Sequence, residues 1–433
     1  MEWSIFNHLY YSKKANAYLL YSSLSNMIVE LNKNGYDEIL KIKKDPDRIN
    51  FKNELYRFLF DGSYIVDSNE TEINKILLAT LNQRFDPRSL SLTIAPTRAC
   101  NFACPYCYEK DRASVRMTEK IQEGILEFVK KHKMIKSLFI TWYGGEPTLS
   151  ISTIKYLSTK MQKMVDNYSA MIITNGYRLD KLVPSIEDLR ISKIQVTIDG
   201  TKKTHDQTRR LLNGAGTFDK IMSNLDFLLS KCNNIQVSIR MNITTENSSQ
   251  YAVLYKLLQK RYGKRVHLYP AFVHDYGGNC QAGTCYDDGL EKARFLKKLF
   301  DEEGVYTKDI YPFRTNKGCM SQKLNAYVIG PQGELYKCWH HLGMKDKEIG
   351  DIFTHGTIRN AGLWADLMLK KDVIFDNRCK ACILFPSCDG GCVDMKNKNE
   401  KICIPARSML EDFIDIRYTV KTAHSINYPS KSE

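Results

Sequence analysis

The sequence predicts an α/β fold, a parallel sheet or barrel with a small α+β module before it and a cysteine-rich segment after it. Three observations predict it. Six apolar, β-branched runs between Ser91 and Phe272 alternate with segments of helical period. The second, third and fourth runs end in polar turns that contain glycine. Thirteen cysteines gather mainly in two groups, one just after the first run and one beyond the last.

Residues 1–88 read as the small module. Two short strands span Asn7 to Tyr21 around Ser12-Lys13-Lys14. Helical patterns follow near Asp37–Lys43 and Phe51–Phe60, then a strand from Ser63 to Val66. This mixture has the size of a winged helix. Residues 89–305 form the barrel segment, which opens with SLTIAPT from Ser91. SLFITWYGG from Ser137, SAMIITNG from Ser169, KIQVTIDG from Lys193, NIQVSIRMNI from Asn234 and RVHLYPAF from Arg265 follow. Such runs fit strands covered on both faces. Between them, Ile121, Ile125 and Phe128 line one face after Thr118, an expected N-cap. Ile221, Leu225 and Leu228 repeat that spacing, and Ile151–Asn167 and Ser248–Arg261 also read as helices. Residues 306–433 hold the second cysteine group and close on a helical stretch from Arg407 to His424.

The 433 residues carry 63 Lys+Arg against 49 Asp+Glu, a net +14, with 43% hydrophobic and 26% charged residues. These values exclude a disordered chain, a collagen-like repeat and a short disulfide scaffold. No run of about 18 apolar residues reads as a membrane span. No basic-then-apolar N-terminus reads as an export signal, so a cytoplasmic protein is expected, with no membrane partner. No helix-turn-helix or basic–aromatic pattern argues for nucleic acid. In a reducing compartment, clustered cysteines point to metal or chemistry rather than to disulfides.

In α/β folds of this kind the chemistry sits at the C-terminal strand ends. There the first run leads into Cys100-x3-Cys104-x2-Cys107, and the second ends in Gly144-Gly145-Glu146-Pro147. The third ends in Thr174-Asn175-Gly176 and the fourth in Asp199-Gly200. Asn-Gly and Asp-Gly are common turn dipeptides. Three such ends on the cysteine side of one sheet favour a ligand site. Three thiolates on one loop would leave one iron of a four-iron cluster open, whereas a closed zinc tetrahedron would need a fourth Cys or His from elsewhere in the fold.

The CxxxCxxC loop with Tyr106 before its last cysteine, the following GGEP and the six β/α units resemble the radical S-adenosylmethionine (SAM) enzymes. The resemblance covers about residues 91–300 and implies a partial (β/α)6 barrel. It implies that Cys100, Cys104 and Cys107 hold a [4Fe–4S] cluster whose open iron binds the methionyl end of SAM. Reductive cleavage then yields a 5′-deoxyadenosyl radical that takes a hydrogen from the substrate. By the same resemblance Tyr106 lies near the adenine, and Gly144, Gly145 and Glu146 bond the methionyl amino group. Thr174, Asn175, Thr197 and Asp199 would face the ribose and methionyl parts. An external electron donor such as flavodoxin or ferredoxin is implied as well.

The second cysteine group resembles the SPASM extension of peptide- and protein-modifying radical enzymes, which carries two auxiliary [4Fe–4S] clusters. The resemblance implies that Cys379, Cys382, Cys388 and Cys403 hold the second auxiliary cluster. The first would use Cys319, Cys338 and Cys392, with a fourth ligand unassigned: Cys280, Cys285 or an open site. The gap before Cys403 is shorter than the family's usual one. Two zinc ribbons are the competing reading of these spacings. Cys232 reads as a small buried hydrophobe.

The resemblance implies a ribosomally made precursor peptide as partner, with its leader held by residues 1–88 through strand addition. The positive charge suits an acidic peptide, and equally an offset to negative cluster thiolates or simple solubility. Oxidative cross-linking is the expected reaction, a thioether bond before a carbon–carbon or carbon–oxygen bond, with epimerisation last. Formylglycine formation, as in anaerobic sulfatase maturases, is the alternative. That family has an Asp after the second extension cysteine, where this chain has Trp339, His340 and His341. A non-catalytic iron–sulfur electron carrier is the alternative of another class.

Overall fold

The computed structural model describes residues 1–46, 52–107, 109, 115–274, 285–286, 288–307, 318–354, 358–370, 372–397 and 403–426. Its contacts divide the chain into two units. The first comprises Met1–Arg84, Asp288–Cys319 and Lys371–Glu433; the second comprises Phe85–Asp287 and Met320–Lys370. These units cut across the three sequence segments, because residues 320–370 pack with the barrel segment.

In the first unit, β1 (Glu2–Trp3) pairs antiparallel with β5 (Ile65–Val66). β2 (Asn7–Ser12), β3 (Ala17–Ser22) and β4 (Met27–Leu31) form an antiparallel three-stranded sheet. Asn16 and Asn26 end the two connecting turns at φ 52° and 62°, a left-handed conformation that asparagine tolerates. Helices Lys33–Lys44, Glu54–Asp61 and Asn69–Arg84 follow. Asn32 caps the first of them, accepting the Gly35 N–H at 2.8 Å. Leu20, Ile39, Ile42, Leu59, Tyr64 and Ile65 make the core of this module. A second cluster joins Phe6, Leu24, Val66 and Ile76 to Phe385 and Cys379, so the N-terminal strands and the cysteine-rich segment share one core. The C-terminal helix Leu410–Ile426 docks through Ile414 against Tyr10, Leu19 and Tyr21. There the Tyr10 hydroxyl donates to Asp415 at 2.6 Å.

Helix Asn69–Arg84 and strand β4 were not anticipated. The helix carries Ile73, Ile76, Leu77 and Leu78 without a clean apolar stripe, and β4 is only five residues long.

The second unit holds the expected parallel strands: β6 (Ser89–Ile94), β7 (Ser137–Trp142), β8 (Asn167–Thr174), β9 (Ile191–Thr197), β10 (Gln236–Ile243) and β11 (Val266–Phe272). They pair in sequence order. β12 (Ala326–Ile329) then adds parallel to β6, and β13 (Glu334–Tyr336) and β14 (Gly350–Asp351) continue antiparallel. The sheet therefore has two edges, β11 and β14, and is an open, partial barrel. β8 and β10 alternate buried with half-exposed residues, so they are covered fully on one face only. Leu92, Ile140, Ile172, Ile194 and Ile239, one on each of β6 to β10, are fully covered. Thr118 stands at the N-cap of helix Glu119–Lys131, but its side chain makes no capping bond. Among the described residues no helix is long and apolar enough to cross a membrane.

Candidate active site

The loop after β6 is held in place from both sides. Phe102 and Leu211 form an antiparallel bridge, the Ala103 N–H donates to the Arg210 carbonyl at 2.9 Å, and the Leu212 N–H donates to the Asn101 carbonyl at 3.1 Å. On the other side the turn after β7 presses against the loop. Gly144 has φ +107°, and a Cβ there would stand 2.4 Å from the Thr97 carbonyl oxygen. A Cβ on Gly145 would stand 2.3 Å from the Arg98 carbonyl oxygen and 2.4 Å from that of Ala99. Only glycine allows this approach. The Gly145 and Glu146 N–H groups use it to donate to the carbonyls of Thr97 and Ala99 at 3.2 and 2.9 Å.

The result is a cleft of about 300 Å3. Cys100, Cys104, Cys107, Tyr106, Gly144, Gly145, Thr174, Asn175 and Thr197 all line it. The three cysteines are half-buried and in no disulfide. The Phe102 N–H donates to the Cys100 sulfur at 3.4 Å.

Two expected site residues stand behind this wall. Glu146 is fully buried, with its carboxylate turned into the protein. One oxygen accepts from the Thr148 N–H at 3.0 Å, the Thr148 hydroxyl at 2.5 Å and the Thr174 hydroxyl at 2.7 Å; the other accepts from the Asn175 N–H at 2.7 Å. Asn175 in turn donates to Asn101 at 2.8 Å, beside Cys100. Glu146 thus ties the ends of β7 and β8 to the cysteine loop. Asp199 is also fully buried. It accepts from the Tyr106 hydroxyl and from the Asn242 N–H, the latter at 2.9 Å.

Residues that sequence reasoning did not place at this cleft complete the site. Arg209 donates to the Tyr106 hydroxyl at 2.7 Å, lies 3.9 Å from Asp199 and stands over the Phe102 ring. Burial works against its charge, but Tyr106, Cys104 and Asp199 beside it hold its pKa above the ordinary arginine value. Burial raises the Tyr106 phenol and the Asp199 carboxyl, the latter despite the Arg209 charge. Arg240 and Asn242, both on β10, line the cleft with Gln195, Phe272 and His274. Trp339 and His340 close another side, the Trp339 ring 5.2 Å from that of Tyr143. The alternation RxN at the end of the fifth run was the one sequence signal for Arg240 and Asn242.

Behind Asp199, His205 accepts the Asp199 N–H at 3.2 Å through Nδ1 and contacts the Thr217 hydroxyl at 3.0 Å through Nε2. Burial pulls its pKa down to about 3, so the folded protein holds a neutral ring. Below about pH 6.5 the unfolded chain takes up a proton that the folded chain refuses, so stability falls as pH drops from there toward 3. His205→Asn, read by thermal unfolding between pH 7 and 4, is expected to show a flatter pH dependence than the parent protein.

Cys232 is buried, as expected. Cys285 corrects the expectation of thiols without disulfides, because it is disulfide-bonded. Cys280 lies outside the described residues. In the extension, Cys319, Cys379, Cys382, Cys388, Cys392 and Cys403 belong to the first unit and Cys338 to the second; none of the seven is in a disulfide. Among the described residues no three His, Cys, Asp or Glu side chains converge on a single-ion position.

Three soft donors on one loop, an N–H aimed at sulfur, a guanidinium beside Cys104 and glycines that clear the approach fit an anionic iron–sulfur cluster with an adjoining ligand. Comparison with known proteins agrees with that donor set. The model of the Radical SAM superfamily matches residues 94–258. A cysteine-type anaerobic sulfatase-maturating enzyme of Clostridium novyi is 25% identical over 356 residues, 72% of this chain and 90% of the relative. A serine-type enzyme of Bacteroides thetaiotaomicron is 28% identical over 352 residues, 70% of this chain and 83% of the relative. The fold is similar to that of anSMEcpe with bound AdoMet, with TM-score 0.60 and 19% identity, over 78% of this chain and 100% of that one. It is also similar to Streptococcus suis SuiB, with TM-score 0.51 and 16% identity, over 94% of this chain and 98% of that one. With its three-cysteine loop set on the parallel sheet, residues 94–258 of this chain form a radical SAM domain.

Proposed function

We propose that this protein oxidatively modifies a ribosomally made peptide, forming an intramolecular cross-link with a thioether as the first choice. The observation that carries the reading is the cleft itself, in which three cysteines outside any disulfide share one wall with Gly144, Gly145, Thr174 and Asn175. When bound there, a four-iron cluster and SAM would supply reductive cleavage of the sulfonium and hydrogen abstraction from the peptide. Cys100, Cys104 and Cys107 would hold the cluster, and the protein's remaining groups arrange the space around it. The Gly144–Gly145 turn leaves room for the methionyl group, and Tyr106 is fixed by Asp199, Arg209 and Asn242. Arg240, Phe272, His274, Trp339 and His340 line the part of the cleft left for substrate. The extension's cysteines would hold two auxiliary clusters, for three in all, which would supply an acceptor for the second electron of the oxidation. Flavodoxin or ferredoxin would deliver the first.

The reach of the likeness supports a peptide maturase. SuiB matches over 94% of this chain, N-terminal module included, whereas anSMEcpe matches over 78%. SuiB bound to the precursor peptide SuiA is similar at TM-score 0.50. Residues 1–88 would bind the leader, with the three-stranded sheet offering the edge strand β4 for addition. The second reading is formylglycine formation, favoured by the sulfatase-maturating relatives.

Anaerobic co-expression with candidate precursor peptides, followed by exact mass and fragmentation, separates the two. Loss of two hydrogens per site supports a cross-link where fragmentation joins two residues, and serine-derived formylglycine where a single serine carries an aldehyde. Exchange of cysteine sulfur for oxygen in a protein target supports formylglycine.

A further inference from the structure

In the first unit, Cys403 is followed by the short turn Pro405–Arg407, which folds the arginine back over the sulfur. The Arg407 Nη1 donates to the Cys403 Sγ at 3.1 Å. The guanidinium also lies within electrostatic reach of Cys382 and Cys379, two further sulfurs of the same set. Cys388, the fourth, accepts the Gly390 N–H at 3.2 Å. Helix Gly289–Glu303 begins at the same place: a Cβ on Gly289 would stand 3.7 Å from the Cys403 carbonyl oxygen. Arg378, the other arginine near these cysteines, is engaged by Asp376 at 2.8 Å. Arg407 has no carboxylate partner among the described residues.

We propose that Arg407 is a positioning residue for the second auxiliary cluster, fixing the Cys403 thiolate by an N–H···S bond and favouring the reduced state. This rests on the reading that Cys379, Cys382, Cys388 and Cys403 hold that cluster. A cluster with four thiolates is anionic and gains one further negative charge when it accepts an electron. A donor aimed at a ligand sulfur, and a cation beside it, stabilise the more negative state and raise the reduction potential. Arg407 is exposed, so solvent screens part of its charge and the directed bond carries most of the effect.

The test compares the full-length protein with Arg407→Ala and Arg407→Lys after anaerobic reconstitution. Iron and sulfide content is measured first, then a redox titration with dithionite as the electron source, followed by electron paramagnetic resonance. The expected result is unchanged iron in all three and one reduction step moved to lower potential in Arg407→Ala. Arg407→Lys should lie between, and the other steps should hold still. Unmoved potentials at full iron content overturn the proposal. Equal loss of iron from both variants also overturns it, since Arg407 then serves only to keep the segment folded. A parent protein with iron for one cluster alone contradicts the two-cluster reading of the extension itself, and is told apart by that count.

Discussion

Glu146→Ala is expected to lower the stability of the second unit by about 4–6 kcal/mol and to strip the cleft of its iron. The carboxylate accepts four hydrogen bonds in a fully buried place. Its removal leaves the backbone N–H groups of Thr148 and Asn175 without an acceptor, at about 1–3 kcal/mol each, and bonds to a charged acceptor lie at the upper end. The side-chain volume is lost as well. Asn175 then no longer holds Asn101, and the cysteine loop loses its link to β8. Glu146→Gln separates these effects. It keeps the volume but turns an amide NH2 toward a group that is itself a donor, so about half the loss is expected. Chemical unfolding with an iron assay checks both. If Glu146→Ala unfolds like the parent protein and keeps its iron, Glu146 is not the clamp described above.

Asp372→Ala is expected to cost the first unit about 3–5 kcal/mol, because it leaves a guanidinium buried without its counter-charge. Arg84 and Asp372 are both inaccessible, at 2% and 0% side-chain exposure. Arg84 donates to both carboxylate oxygens from the last residue of helix Asn69–Arg84, where a positive charge also suits the helix end. Asp372 also accepts the Ile374 N–H at 3.1 Å. The pair therefore joins the N-terminal module to the segment that leads into Cys379. The double variant Arg84→Met, Asp372→Ala removes the stranded charge and is expected to recover much of the loss. Equal destabilisation by the single and double variants would show that shape, not charge, is what the pair supplies.

The parallel strands were legible because each is a short apolar run bounded by turn residues, and all six stand within two or three residues of their expected starts. The turns were legible too: Gly144, Gly176 and Gly200 all have positive φ, from +81° to +122°. Periodicity could not show which way a strand-end side chain turns. Glu146 and Asp199 point inward because backbone N–H groups from neighbouring strands converge on them, and that convergence depends on strand order. Arg209 was hidden for the same reason, since it meets Tyr106 only once the loop after Asp199 folds back. Trp339 and His340 reach the cleft because β12 adds beside β6, an event more than two hundred residues away in sequence.

The most direct test of the cleft as a radical SAM active site is to measure 5′-deoxyadenosine formed from SAM by the reduced, anaerobically reconstituted protein. The parent protein should produce it. Cys104→Ala should produce none while losing iron for one cluster and no more. Intact SAM after incubation with the fully loaded, reduced parent protein would contradict the assignment.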